Sequence, residues 1–455
     1  MVIVQESAPI LKRLLSRTPL QGVALEMVTR LILAFIGHRG RMSCSAAAGT
    51  IASAPIHRGQ LTRFLSRPRW QQTDFNRPLR QMLLNAEARQ GRFIFLVDAT
   101  MISQAGHKTQ NTYSTGNRRR RPRRGRRYSP RKIVRKQVHS FTFGLLLTPS
   151  GMRLPFQIPH YTRDYCKQHK REHLTTAEAA AKLIRELPLS AGADVVVVGD
   201  TAYDAQVVRD ACGERGFLWV IPANPERVLA GPRGQRPKVR SRLIEWSTWS
   251  LRTIRLSVGT GSYARQRRAS RWRVGPKQKP REYHAYQERR EVHSVGWVQL
   301  VFSTRKANLT AATCDDVKIL MTNAMTLSLA ELIELYGLRW QIELFFKELK
   351  STLGFAQYRF ERFSAVEGWV QTAITTVLVL EHLRALRLRS RTLPREARCW
   401  WERQRLHGLC AAFRQECSGK ELAYLARRLQ TPRGIAQLKR QLRNAVPPEY
   451  RTITK

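Results

Sequence analysis

The sequence predicts an α/β fold, in which a mixed sheet flanked by helices is preceded and followed by helical regions. Two continuous apolar runs, GRFIFLVDAT at 91–100 and ADVVVVGDTAYD at 193–204, are typical of strands buried on both faces. An alanine-rich run at 176–187 has the composition of a helix, and the segment 225–311 has the Gly/Pro-rich turns of a β-rich insertion. This order indicates a central sheet to which a β-rich part has been added.

The N-terminal segment, residues 1–88, is expected to be helical. Apolar residues recur at helical spacing from 25 to 36, and two glycines shortly afterwards are expected to end that helix. Two short helices then flank Pro55, and the second carries three arginines and a tryptophan: Arg58, Arg63, Arg67 and Trp70. This arrangement fits a helix-turn-helix-like reader of DNA, and it fits the edge of a plain helical bundle equally well.

Further strands and a helix are predicted around the second apolar run. VHSFTFGLLLTP at 138–149 and MRLPFQIPHY at 152–161 are expected to form a hairpin around a Ser-Gly pair. The alanine-rich helix is expected to begin after Thr175 or Thr176, because threonine is a good N-terminal capping residue. KILMTN at 318–323 predicts one more strand.

Two aspartates, Asp98 and Asp200, end the two most apolar runs of the chain. In open sheets of this kind the ligand crevice lies at the carboxyl ends of the strands, so both are candidates for one site. A single aspartate at a strand end is most often a turn former. Asp194 and Asp204 compete for the role of second carboxylate. We favour Asp200 because it follows the VVVVG run directly, whereas Asp204 has the position of a cap for the next helix.

A strongly basic stretch, NRRRRPRRGRRYSPRKIVRKQ at 117–137, lies between the first two predicted strands. From Arg118 to Lys136 it has twelve Lys and Arg residues and no acid. Such a run is commonly a solvated loop, but its place close after Asp98 favours binding to the phosphate backbone of DNA. The arginines to which we assign this role are Arg118, Arg119, Arg120, Arg121, Arg123, Arg124, Arg126 and Arg127.

The overall charge also points to a nucleic-acid partner. Among 455 residues, 80 Lys and Arg against 33 Asp and Glu give a net charge of +47, which a polyanion would neutralise. A bias toward arginine codons is an alternative source of part of this excess. Seven cysteines at irregular spacing fit a reducing compartment. The longest apolar runs fall short of the ~20 residues of a membrane span, so we expect a cytoplasmic, nucleoid-associated protein.

The stretch YGLRWQIELFFKELK at 336–350 places unlike charged groups on one side of a predicted helix. At ~100° per residue, one face collects five polar side chains: Tyr336, Arg339, Glu343, Lys347 and Lys350. Glu343, among cations, is expected to stay ionised and able to bind a metal. Arg339 and Lys350 are suited to holding phosphates, one as a planar fork and the other as a point charge. A solvated face with spaced ion pairs is the plain alternative.

The spacing of Tyr, Arg, Glu and Lys within 336–350 resembles the signature of the DDE transposases of bacterial insertion sequences, in the line that carries a Tyr-Arg-Glu-Lys (YREK) helix. The resemblance covers roughly residues 90–385. It implies a ribonuclease-H-like catalytic core with a β-rich insertion domain that covers the active site. It also implies that Asp98, Asp200 and Glu343 are the catalytic, metal-binding carboxylates.

The chemistry implied by this resemblance is metal-dependent cleavage and joining of DNA. Three carboxylates repel one another unless cations neutralise them, and oxygen ligands suit two Mg²⁺ or Mn²⁺ ions ~4 Å apart. The other polar residues of the 336–350 face are then the expected phosphate contacts. Trp297 and Trp340 are candidates for stacking on an unpaired base, although core packing is the commoner role of a tryptophan in an apolar strand such as that of Trp297.

Five regions are expected: a helical, DNA-end-binding region at 1–88, the first part of the core at 89–224, the basic β-rich insertion at 225–311, the second part of the core at 312–390, and a helical C-terminal region at 391–455. The expected partners are double-stranded DNA, as element ends and as target, and a second copy of the chain in the DNA complex. Two other interpretations stay open. One is a ribonuclease-H-like nuclease without strand transfer, and the other is a transposase-derived DNA-binding protein.

Overall fold

The structure is a computed structural model, and it describes most of the chain. The described residues are 7–37, 42–50, 56–67, 74–87, 90–104, 108–116, 135–190, 192–231, 236–248, 250–256, 281–306, 316–390 and 392–437. The basic stretch from Arg118 to Arg127 lies outside these ranges, as does Trp70, so their predicted roles stay predictions.

Helices precede, interrupt and follow the strands along the chain. The α-helices of the described residues are α1 (Ser7–Leu15), α2 (Gly22–Gly37), α3 (Cys44–Ala48), α4 (Arg58–Leu65), α5 (Arg77–Asn85), α6 (Arg163–His169), α7 (Thr176–Arg185), α8 (Gln206–Glu214), α9 (Leu329–Gly337), α10 (Trp340–Thr352), α11 (Phe363–Arg389), α12 (Arg395–Arg403) and α13 (Leu406–Leu429). The strands are β1 (Phe93–Gln104), β2 (Tyr113–Gly116), β3 (Arg135–Leu147), β4 (Arg153–Pro159), β5 (Val195–Val198), β6 (Leu218–Pro222), β7 (Arg252–Leu256), β8 (Arg281–Val292), β9 (Gly296–Thr304) and β10 (Lys318–Thr322).

The ten described strands form one mixed sheet, which confirms the predicted α/β class. Its order is β2-β3-β1-β5-β6-β10-β9-β8-β7, and β4 pairs with β3 outside this path. β1 runs parallel to β5 and antiparallel to β3, while β5 runs parallel to β6. The predicted hairpin is confirmed as the antiparallel pair β3 and β4. The strand predicted at 318–323 is confirmed as β10.

The centre of the sheet is buried on both faces, as its uninterrupted apolar sequence requires. Residues Ile94 to Val97 of β1 and Val196 to Val198 of β5 are all fully buried. Helix α7 packs against β3 and β4 beside this region, and Thr175 caps it in a reciprocal pair with Glu178. On the neighbouring strand a side chain at Gly144 would come within 2.1 Å of the Phe95 ring, so this close approach requires glycine.

The strands predicted for the 225–311 insertion are hydrogen-bonded into the same sheet. β10 runs antiparallel to both β6 and β9, and β9, β8 and β7 follow as an antiparallel series. This part of the chain therefore extends the sheet that carries the two candidate aspartates. The predicted β-rich character is present in these strands.

The long helix α11 packs against β4 on one side and against the N-terminal helices α2, α4 and α5 on another. Its length and composition would suffice to cross a membrane, but 89% of its most apolar window is buried inside the protein. Trp369 is fully buried, with its ring centroid 4.8 Å from that of Phe35 in α2. The helix is therefore the apolar centre on which the N-terminal helices and the sheet meet.

Candidate active site

Asp98 lies within β1, half-buried, directly after the four fully buried residues of that strand. The sequence predicted that Asp98 would end its strand, and this is wrong because β1 continues to Gln104 through its pairing with β3. The parallel pairing with β5 does end before Asp98, at Leu96 and Val198. Asp98 thus lies where β1 loses one of its two neighbours, and its carboxylate Oδ1 accepts a hydrogen bond from the Ala99 N–H at 2.8 Å.

Asp200 lies two residues beyond β5, in line with Asp98. Since Leu96 pairs with Val198 in parallel register, two further residues on each strand bring Asp98 and Asp200 to the same level of the sheet. Asp200 caps a short 3₁₀ turn, Thr201–Tyr203, and its Oδ1 accepts from the Ala202 N–H at 2.9 Å. The preceding Gly199 has no room for a side chain without strain, because a Cβ there would lie 3.0 Å from the Tyr203 Cβ.

Glu343 approaches the aspartates from α10, in the first turn of that helix. The Arg339 guanidinium donates to its Oε1 at 2.6 Å, and a second nitrogen of the same guanidinium lies 3.9 Å from Asp98 Oδ2. One cation therefore lies between a strand carboxylate and a helix carboxylate. The structure brings all three predicted carboxylates to one region, with Arg339 among them.

The electrostatics of Asp98 record this crowding. Burial, the nearby Asp200 and Glu343 raise the pKa of Asp98 to about 6, against the lowering effects of the Ala99 N–H and Arg339. Tyr203 lies under the same carboxylates, and burial together with Asp98 and Asp200 raises the pKa of its phenol. Tyr203 was not among the site residues predicted from the sequence. Its only signal is its position in the DTAYD run immediately after the second apolar strand.

The two competing aspartates are engaged elsewhere. Asp204 is ion-paired to Arg209 at 2.7 Å and to Arg227 at 2.6 Å, and its side chain is only 3% exposed. Asp194 pairs with Arg92 at 2.9 Å, next to the start of β1 and thus away from Asp98. Both have protein partners that satisfy their charge, whereas the geometry leaves Asp200 facing Asp98.

The helix predicted over 336–350 is in fact two helices. Tyr336 lies near the end of α9, and Arg339 lies in the junction before α10. Gly337 ends α9, and the following amides bond to carbonyls three residues back, as from Arg339 to Tyr336 at 3.0 Å and from Ile342 to Arg339 at 3.2 Å. This tighter winding shifts Tyr336 relative to the rest of the predicted face. Its ring lies 5.5 Å from the Lys318 ammonium.

Lys350 lies at the other end of α10, over β1. Its ammonium donates to the Met101 carbonyl at 3.3 Å, three residues along the strand from Asp98, and burial lowers its pKa. Lys347 lies one turn earlier and is exposed. The apolar side of the helix is buried, with Ile342, Phe345 and Leu349 fully covered.

The two candidate tryptophans are both on the surface. Trp340, beside Arg339, is 55% exposed, and Trp297 is 66% exposed, so neither packs in the core. Trp297 lies on β9, which is separated from β1 by β10, β6 and β5. Four interstrand spacings correspond to about 19 Å, so the structure does not bring Trp297 together with the three carboxylates.

The predicted N-terminal contacts lie beside a basic cavity. Arg58 and Arg63 of α4 line a space of about 670 Å³ together with Arg359, from the segment that precedes α11. Arg67 follows this helix. The helices α3 and α4 pack on each other, as a helix-turn-helix-like unit and a bundle edge both would.

The residues present fit a divalent cation by their chemistry. The three side chains offer only oxygen donors, which Mg²⁺ and Mn²⁺ prefer. Across the described part of the chain, no group of three or more His, Cys, Asp or Glu residues is arranged to hold a metal ion. At this site the Arg339 guanidinium lies against Glu343, where a bound cation would have to lie.

Comparison with known proteins identifies the central part of the chain. Residues 165–380 match a family model described as the transposase DDE domain. This range contains Asp200, Glu343 and the whole of α9 and α10, and it begins after Asp98. No curated protein matches the chain.

Proposed function

We propose that this chain, whose residues 165–380 match the transposase DDE domain, is a DDE transposase that binds the ends of its own mobile element, cleaves them and joins the 3′ ends to target DNA. The family implies a metal-dependent enzyme whose partner is DNA. The net charge of +47 supports such a partner, because the DNA phosphates would neutralise it. The mixed sheet order β4-β3-β1-β5-β6 supports a ribonuclease-H-like core.

The observation that carries the proposal is the meeting of Asp98, Asp200 and Glu343. Two of these carboxylates lie at one level on neighbouring parallel strands, and the third is joined to the first through Arg339. Asp98, Asp200 and Glu343 would hold two Mg²⁺ or Mn²⁺ ions, which supply activation of the attacking hydroxyl and stabilisation of the leaving oxygen. Burial, with repulsion from Asp200 and Glu343, raises the pKa of Asp98, and a bound cation would relieve that repulsion.

Arg339 has two successive partners in this proposal. Without DNA, its guanidinium neutralises Glu343 and the edge of Asp98. A cation held by Glu343 would free the planar fork of Arg339, which could then hold two oxygens of a phosphate beside the scissile bond. Lys350, close to Met101 on β1, is placed to hold the next phosphate along the strand.

The surface around the site offers further contacts for DNA. Trp340 follows Arg339 directly and presents an exposed ring on which an unpaired base can stack. Arg58, Arg63 and Arg359 present a second cluster of cations at the N-terminal helices. We assign the element end to these two surfaces and propose that a homodimer holds the two ends, in the cytoplasm and on the nucleoid.

The test is cleavage and joining of a labelled oligonucleotide that carries the inverted repeat flanking the coding region, with Mg²⁺ or Mn²⁺. Asp200→Asn and Glu343→Gln should each lower the cleavage rate by at least about a thousandfold, because each removes a charge that a cation requires, while DNA affinity stays within about threefold. Asp210→Asn is the matched control, because Asp210 is an exposed aspartate on α8, ten residues beyond Asp200. Cleavage by either active-site variant at the wild-type rate would contradict the assignment.

A further inference from the structure

The inner side of α10 carries a charged residue that the proposed chemistry does not use. Glu348 lies five residues beyond Glu343, which is about 140° around the helix and about 7.5 Å along it. Its side chain is 13% exposed and thus turned into the protein, away from the carboxylate site. A carboxylate in such a place needs strong partners, because burial of an unpaired charge is costly.

Glu348 joins α10 directly to β4 and to the start of α13 and, through Arg153, indirectly to α11. Its Oε2 accepts from Arg153 of β4 at 2.8 Å and from the backbone N–H of Leu406, the first residue of α13, at 3.2 Å. Arg153 also lies 3.6 Å from Glu381 of α11, and Glu381 is ion-paired to Arg384. Arg153, Glu381 and Arg384 are each no more than 1% exposed. The active-site helix is therefore tied to the sheet, to the central helix and to the C-terminal helix.

We propose that Glu348 is a positioning residue. Through it, the C-terminal helix α13 holds α10, and therefore Glu343, in the position that catalysis requires. The proposal rests on the function proposed above, and it gives the C-terminal region a role in catalysis. Apart from the Lys350 bond to Met101 close to its C-terminal end, α10 packs on the core through apolar side chains such as Ile342, Phe345 and Leu349. Apolar contacts are non-directional, so by themselves they permit small slides and rotations of the helix.

The contacts of Glu348 remove that freedom because they are directional. Arg153 fixes the carboxylate from the sheet, and the Leu406 N–H fixes it from the start of α13. Since Glu343 and Glu348 share one rigid helix, a shift at one is a shift at the other. A displacement of about 1 Å at a reacting group can lower a rate about a hundredfold.

Leu406 allows the link to be cut at a single atom pair. It is the first residue of α13, a position where proline is favoured because the missing N–H has no partner within the helix. The preceding Arg405 has φ −95° and ψ 179°, an extended conformation that suits a residue before proline. Leu406→Pro therefore removes the N–H that Glu348 accepts without opposing the local backbone. Leu406→Ala is the matched control, because it trims the same buried side chain and keeps the N–H.

The experiment measures hydrogen–deuterium exchange over residues 340–352 and single-turnover cleavage in the full chain. Glu348→Gln and Leu406→Pro should raise exchange in this helix by at least about tenfold, because they release a directional tie, and Leu406→Ala should raise it far less. At saturating DNA and Mn²⁺, both variants should cleave about 10- to 100-fold more slowly, with DNA affinity within about twofold. Arg405→Gln should change both readouts far less, because its side chain is 40% exposed and forms only a long ion pair with Glu348, at 3.8 Å.

Two results would overturn the proposal. One is unchanged exchange over 340–352 in both Glu348→Gln and Leu406→Pro. The other is faster exchange with an unchanged cleavage rate per folded molecule, which would make the contact structural only. If Glu348→Gln does not fold, Leu406→Pro and its alanine control still decide the question. Absence of cleavage by the wild type would instead reject the proposed function, and the exchange measurement would still test the link.

Discussion

Two acids close to the end of the parallel pairing between β1 and β5, Asp204 and Asp98, are compensated in opposite ways. Asp204, four residues after Asp200, has two guanidinium partners within 2.7 Å and is almost completely buried. Asp98 has, among the described residues, a single ion-pair contact at 3.9 Å, and its partner Arg339 is closer to Glu343. Two carboxylates in the same part of the protein thus differ in their compensation. Asp204 is neutralised by two nearby arginines, whereas Asp98 shares one arginine with Glu343.

The contrast separates acids that hold the fold together from acids that await a ligand. A buried carboxylate with two arginines is neutralised whether or not anything binds. A crowded carboxylate such as Asp98, with its pKa raised to about 6, is relieved only when positive charge arrives from outside. The distinction rests on charge and distance alone, and three measurements test it.

The largest effect is expected at the compensated acid. Asp204→Asn leaves Arg209 and Arg227 facing one another without a negative charge, and it should lower the free energy of unfolding by about 3–5 kcal/mol. Asp210→Asn, an exposed change on the next helix, should stay within about 0.5 kcal/mol. Urea unfolding in metal-free buffer measures both. Equal stabilities of the two variants would show that Asp204 does not hold the fold in this way.

An effect of opposite sign is expected at the crowded acid. Because burial and neighbouring carboxylates raise the folded-state pKa of Asp98 from 3.8 to about 6, the wild type loses stability as the pH rises through this window. Asparagine cannot ionise, so Asp98→Asn should be more stable than the wild type by about 1–2 kcal/mol at pH 8, after allowance for solvent screening. The difference in stability between Asp98→Asn and the wild type should vanish near pH 4.

The measurement for Asp98 is urea unfolding without divalent ions from pH 4 to pH 8. The variant should also fail to cleave DNA, so that stability and activity move in opposite directions. A loss of stability at every pH would mean that the Asp98 carboxylate is a structural group like Asp204, and the contrast between them would fail.

The smallest effect concerns Arg339 as the cation between the two carboxylates. Its charge lowers the pKa of Asp98, so Arg339→Gln should raise that pKa further. The pH range over which Asp98→Asn is more stable than the protein with Asp98 should then move to higher pH when both proteins also carry Arg339→Gln. Arg339→Lys keeps the charge and serves as the control, with the window close to that of the wild type. An unmoved window in Arg339→Gln would mean that the guanidinium does not act on Asp98.

The fold elements follow from local sequence, and much of the site follows from them. The hairpin of β3 and β4, the cap at Thr175 and the strand β10 all lie where composition and turn residues predict them. Asp98 and Asp200 can be placed together because β1 and β5 pair in parallel register, and each aspartate follows the end of that pairing by two residues. The junction before Arg339 was not predicted, since helical periodicity continues across Gly337 and only the hydrogen bonds show the tighter turn.

Contacts between residues far apart in the chain could not be predicted from local patterns in a single sequence. Arg153 and Glu348 are 195 residues apart, and no local pattern marks them as partners. The pairing of β6 with β10 is of the same kind, and it decides whether the insertion forms its own sheet or extends the first one. Buried ion pairs and strand neighbours depend on where the whole chain folds back, which spacing within a segment does not record.

Because β1 and β9 belong to one continuous sheet, the twist of that sheet affects any DNA that contacts the protein at both strands. Adjacent strands rotate by roughly 20–25° with a fixed hand, so the four steps from β1 to β9 amount to a turn of about 80–100°. At this average twist, one face of the sheet at β9 is turned by nearly a right angle from the same face at β1. A straight, rigid duplex lying along one of these surfaces departs from the other, whereas a strand that is bent or frayed at its end can follow the corner between them.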